Sequence, residues 1–62
     1  MTNSIEDALR QKGWTQLRLA QEARLQPAHI NKVIRNTANP RVDTAIKIAR
    51  ALGKKVEDLW KS

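Results

Sequence analysis

Apolar residues recur along the chain at intervals of three and four. That is the repeat of a helix face, not the alternation of a strand. Ile5, Ala8 and Leu9 predict a first helix from Ile5 to about Lys12, capped by Asn3 or Ser4. Glu6 and Asp7 fall in its first turn, and Gly13 follows its end, where a left-handed residue is commonly needed. Thr15 caps a second helix, Gln16 to about Ala23, with Leu19, Ala20 and Ala23 as its inner stripe. Gln26-Pro27 opens a third, because proline at the first helical position loses no hydrogen bond there. Its inner face is Ile30, Val33 and Ile34, and it stops near Arg35 or Asn36. Thr37 to Pro40 reads as a loop, with Asn39-Pro40 as its turn signal. A fourth helix runs from about Val42 to Leu52, and Val42, Ala45, Ile46, Ala49 and Leu52 form its expected apolar stripe. Gly53 ends it, and a short fifth helix from about Val56 to Trp60 carries Val56, Leu59 and Trp60. No repeat, low-complexity run or internal linker interrupts the pattern. The expectation is an all-α fold, five short helices around one core, forming a single domain over residues 1–62.

Charge narrows the function. The 62 residues hold 12 Lys and Arg against 6 Asp and Glu, a net charge of +6, which points to a polyanion and first to nucleic acid. The absence of cysteine argues against a disulfide scaffold and a thiolate zinc site. No apolar run approaches the ~20 residues that span a bilayer, and Met1-Thr2-Asn3-Ser4 is no signal peptide. The expected location is the cytoplasm, with the nucleoid.

Catalytic material is scarce. There is one histidine, His29. Glu6, Asp7, Asp43, Glu57 and Asp58 all lie near predicted helix starts, where they complement the helix dipole. Glu22 lies one turn after Arg18 and is placed to pair with it. Metal-ligand spacing is missing, and two glycines, Gly13 and Gly53, make no phosphate loop. Neither an enzyme, a cofactor nor a metal site is expected.

The second and third helices are separated by only Arg24-Leu25-Gln26, a link short enough to be the turn of a helix-turn-helix, with Leu25 plugging it. No acid occurs between Glu22 and Asp43, whereas Arg24, Lys32, Arg35 and Arg41 are basic. On a wheel of ~3.6 residues per turn, Ala28, Lys32 and Arg35 fall opposite Ile30, Val33 and Ile34. Asn31 and His29 flank that outward ridge. A small residue beside long cations suits a major groove: Lys32 can donate to guanine, Ala28 can touch a thymine methyl, and Asn31 can pair with adenine.

Thr15-Gln16, Leu19-Ala20, Leu25, Ile30, Asn39-Pro40, Ile48-Ala49, Leu52-Gly53 and Leu59 occur in a gapless spacing. On these residues the segment from Trp14 through Leu59 resembles the helix-turn-helix domain of phage repressor and Cro proteins, also called the xenobiotic-response-element family. The resemblance implies a five-helix, lambda-repressor-like DNA-binding domain that docks as a homodimer on double-stranded DNA at a near-palindromic operator. It implies that Gln16 holds a phosphate at the start of the second helix, and that Asn39 and Arg41 grip phosphate after the third. It places Pro27, Ala28 and Lys32 at base edges, within the DNA-facing segment Gln26 to Arg35.

Three positions depart from the family pattern. Arg24 stands at the usual turn glycine, so either the turn differs or DNA contact compensates. Leu9 and Ile34 stand where an arginine and a glutamate are common, which implies an apolar contact in place of a buried ion pair. Pro27 removes a polar base reader and shifts specificity toward Lys32.

Trp14 is expected in the core between the first two helices, and Leu17 as a lone exposed apolar residue. Trp60 has two readings: a cap on the core, or part of a dimer patch with Val56 and Leu59. Taken together, these residues lead to the expectation of a sequence-specific transcriptional regulator, a repressor. The alternative is an antitoxin-like module that binds a toxin-like partner protein and autoregulates its own promoter.

Overall fold

The computed structural model describes residues 3–35 and 40–60. Five helices follow in order: α1 (Ile5–Lys12), α2 (Gln16–Ala23), α3 (Pro27–Ile34), α4 (Val42–Leu52) and α5 (Val56–Leu59). No strand occurs among the described residues. The expected stop of α3 at Asn36 and the loop Thr37–Asn39 lie outside the described residues.

Three of the helices end in the same way. After α1, α2 and α4 a left-handed residue returns its N–H to the carbonyl three residues back, and the next residue returns its own to the carbonyl five back. The bonds are Gly13 to Arg10 at 3.2 Å and Trp14 to Leu9 at 2.9 Å, then Arg24 to Gln21 at 3.3 Å and Leu25 to Ala20 at 2.9 Å. Gly53 to Arg50 at 3.2 Å and Lys54 to Ala49 at 2.9 Å complete the set. These paired bonds satisfy carbonyls that a helix end leaves open. They also reverse the chain sharply, and at α1 and α2 the residue after the reversal, Trp14 or Leu25, packs on the core.

The starts are capped individually. Thr15 Oγ1 accepts from the Arg18 N–H at 3.1 Å. At α5 the Asp58 carboxylate reaches back to the Lys55 N–H at 3.2 Å. At α1 the capping side chain is Asn3: its Oδ1 accepts from the Ile5 N–H at 3.2 Å, while Ser4 makes no side-chain cap. The same Asn3 amide donates to the carbonyls of Val33 at 3.0 Å and Ile34 at 3.4 Å. One side chain thus closes the start of α1 and the end of α3, where Arg35 is right-handed (φ −79°) and no left-handed cap forms.

The core takes the predicted inner stripes of α1, α2 and α3: Ile5, Ala8, Leu9, Leu19, Ala20, Ala23, Ile30, Val33 and Ile34 are all buried. Leu9 and Ile34 both belong to that single apolar cluster. Helix α4 corrects the expectation. Val42 is 77% and Ile46 39% exposed, whereas Ile48 is fully buried together with Ala45, Ala49, Leu52 and Thr44. Both stripes have helical spacing; the packing of α4 against α1, α2 and α5 selects the one through Ile48. Leu59 is buried at 1% exposure, Trp60 packs half-buried on the core, and the Ser4 N–H donates to the Leu59 carbonyl at 2.8 Å. The start of α1 is therefore tied to α5.

Trp14 is only half-buried. Two cations lie over its ring, Lys12 Nζ at 4.7 Å and Arg18 Cζ at 5.0 Å from its centroid. Each such contact is worth about 0.5–1 kcal/mol at an exposed site. Arg18 also bonds Glu22 at 3.0 Å, the expected pair one turn apart.

Candidate nucleic-acid interface

The turn between α2 and α3 keeps its tight form although it lacks glycine. Arg24 adopts φ 58°, ψ 45°, the left-handed conformation, and both returning hydrogen bonds are made. Of the two outcomes expected for this position, the turn does not differ. Leu25 is half-buried against the core, and Gln26 in extended conformation leads into α3 with Pro27 at its first turn.

Helix α3 divides cleanly by side. Ile30, Val33 and Ile34 are buried, whereas Pro27, Ala28, Lys32 and Arg35 are exposed. Its eight residues extend about 12 Å. A helix enters a major groove ~12 Å wide only where its outer ridge is not bulky, and Ala28 keeps the ridge narrow near the start of α3.

Electrostatics singles out the same pair of helices. Acids occupy the first turns of α1, α4 and α5: Glu6 and Asp7, Asp43, and Glu57 and Asp58. The first turns of α2 and α3 contain none. A carboxylate offsets the positive end of a helix dipole, so α2 and α3 leave that end open to an anion from outside.

The remaining candidates take different positions. Gln16, the first residue of α2, is half-buried, and its Oε1 accepts a hydrogen bond from Asn31 Nδ2 at 3.2 Å. Asn31 is thus turned toward α2 and is half-buried, as is His29, while Gln26 is exposed. Arg41, exposed at the start of α4, lies 4.0 Å from the Asp43 carboxylate, so an acid stands beside this candidate phosphate ligand. Asn39 lies outside the described residues. Of the candidate dimer residues, Val56 is 38% exposed and Trp60 half-buried, but Leu59 belongs to the protomer's own core and offers no surface to a second copy. Leu17 is exposed, as its position implied.

The fold also assembles a basic cleft that sequence spacing does not reveal. Arg24, Lys47 and Arg50 line a recess of about 560 Å³ with Glu22, Ala23 and Ala51. It joins the C-terminal ends of α2 and α4, where cations complement the negative end of the helix dipole. Among the described residues, no group of His, Cys, Asp or Glu could hold a metal, and no helix is long and apolar enough to cross a membrane.

A family model described as helix-turn-helix matches residues 5–59, which takes in all five helices. No curated protein matches the chain.

Proposed function

The chain belongs to the Cro/C1-type helix-turn-helix family, a DNA-binding regulatory family, and on that premise we propose that it is a sequence-specific repressor that lays α3 in the major groove of an operator. The observation that carries this reading is the two-sided character of α3. Its apolar side is buried in the core, and its exposed ridge of Ala28, Lys32 and Arg35 belongs to a stretch without a single acid from Ala23 to Val42. Phosphate contacts supply most of the affinity, and base-edge contacts supply the choice of site. Gln16, Asn39 and Arg41 act on phosphate, the role that membership of the family implies for them. Pro27, Ala28 and Lys32 face bases, and Gln26, His29 and Arg35 border the groove.

Size supports a pair of copies. The protein is 25 Å across its longest axis, which spans roughly seven base pairs at ~3.4 Å per step. So short a footprint specifies little sequence, and two copies reading half-sites about 34–36 Å apart would double it. The exposed Val56 and the half-buried Trp60 are the surface proposed for that contact. Occupancy of a promoter by such a dimer would exclude polymerase.

Selection of bound duplexes from a random pool tests the reading. The expected result is a palindromic consensus whose half-sites lie one helical turn apart. Recovery of unrelated sequences with uniform affinity would refute specific recognition, and a single unpaired half-site would refute the dimer.

A further inference from the structure

We infer that Asn31 is a positioning residue for Gln16: it turns the Gln16 amide so that its N–H donors face a DNA phosphate, and it does not read a base. The inference rests on the proposed DNA-binding reading and deepens one part of it. Asn31 Nδ2 donates to Gln16 Oε1 at 3.2 Å across fifteen positions of sequence, joining the start of α2 to the middle of α3. A glutamine amide accepts through its oxygen and donates through its nitrogen. With the oxygen engaged inward, the NH₂ group is the part left to face outward. A phosphate oxygen only accepts, so this is the orientation that a phosphate contact requires.

Glutamine has many rotamers, and holding it in one costs more conformational entropy than for most side chains. The bond from Asn31 makes that selection before DNA arrives. Base reading demands the opposite geometry. An asparagine that recognises adenine presents both N–H and C=O beyond the helix surface, in the plane of the base. Asn31 is instead half-buried with its amide directed at α2, while Ala28 and Lys32 on the same helix are exposed. Pro27 and Ala28, the first two residues of α3, have no side-chain donor to offer a phosphate.

A double-mutant cycle separates the two roles. Asn31→Ala, Gln16→Ala and the double variant are titrated against the selected duplex and an unrelated duplex by fluorescence anisotropy. Each single change is expected to weaken binding about three- to tenfold on both duplexes, the range of one hydrogen bond. The double variant is expected to bind no more weakly than Gln16→Ala alone. The Gln16 side-chain amide resonances should shift when wild type binds either duplex, and stay near their free positions in Asn31→Ala. Asn31→Asp, nearly isosteric, offers only acceptors and should turn the Gln16 nitrogen inward. It is expected to weaken both duplexes more than Asn31→Ala does, and to lose part of that excess when combined with Gln16→Ala. A loss confined to the selected duplex, or losses that add, would overturn the inference. So would unchanged affinity with a lowered Tm, the mark of a purely structural bond. If wild type binds and the losses add, only this inference falls; if wild type binds no duplex, the functional reading falls with it.

Discussion

Arg24→Gly is expected to make the protein more stable, against the usual direction of substitutions to glycine. Arg24 is the one described non-glycine residue with positive φ, at 58°. A side chain in this conformation brings Cβ close to the following carbonyl oxygen and costs about 1–2 kcal/mol. The hydrogen bonds that need this backbone, Arg24 to Gln21 and Leu25 to Ala20, involve main chain only and survive the change. Against the relief stands the greater freedom of glycine in the unfolded chain, about 0.5–1 kcal/mol. The net gain falls between about 0 and 1.5 kcal/mol, centred near 0.75 kcal/mol, or roughly 3–6 °C in Tm at that centre for a domain of this size. Far-UV circular dichroism melts and urea titration measure it, the midpoint rising with the m-value unchanged. Asn tolerates the left-handed region and a β-branched residue does not, so Tm should fall in the order Gly, Asn, Arg, Val at this position. A lowered Tm for Arg24→Gly would refute the strain argument. Normal operator binding by the stabilised variant would show that DNA contact is not what retains the arginine.

Ile48→Val should cost about 0.5–1.5 kcal/mol, whereas Ile46→Val should change stability by less than about 0.5 kcal/mol; equal effects in urea titration would reject the observed face of α4. Thr15→Ala removes the acceptor of the Arg18 N–H and should cost about 1 kcal/mol, read as a drop in Tm. Lys32→Ala should lose about 1–3 kcal/mol of operator affinity and relax preference at one base pair. Arg41→Ala should weaken all duplexes alike and flatten the salt dependence, and identical profiles for the two variants would remove the distinction between base and phosphate contact. Asp43→Asn should raise affinity at low salt, because it removes the carboxylate 4.0 Å from Arg41; titrations at two salt concentrations check this.

Much of the fold is legible in local chemistry. Thr15 stops and starts the chain by offering an acceptor where helical N–H groups lack one. Gly13 and Gly53 occupy left-handed positions, and Pro27 occupies a first turn where its missing N–H costs nothing. These effects act over four or five residues, so they are written in the order of the residues. The three inner stripes of α1, α2 and α3 are equally readable, because each helix has one apolar face and no rival. The ridge of Ala28, Lys32 and Arg35 follows from the third of them by periodicity alone.

Where two answers share the same periodicity, distant residues choose. In α4 the stripes through Ile46 and Ile48 both have helical spacing, and only the surfaces of α1, α2 and α5 make one of them interior. Leu59 reads from its neighbours as surface for a second copy, yet it fills the protomer's own core. Asn3 meets Val33 and Ile34 across the fold, and Asn31 meets Gln16, through hydrogen bonds that no spacing rule anticipates. Turn and cap preferences are energies of a few neighbouring torsions, so the order of residues suffices to set them. Burial and long-range hydrogen bonds depend on what stands opposite, and that exists only once the helices have packed.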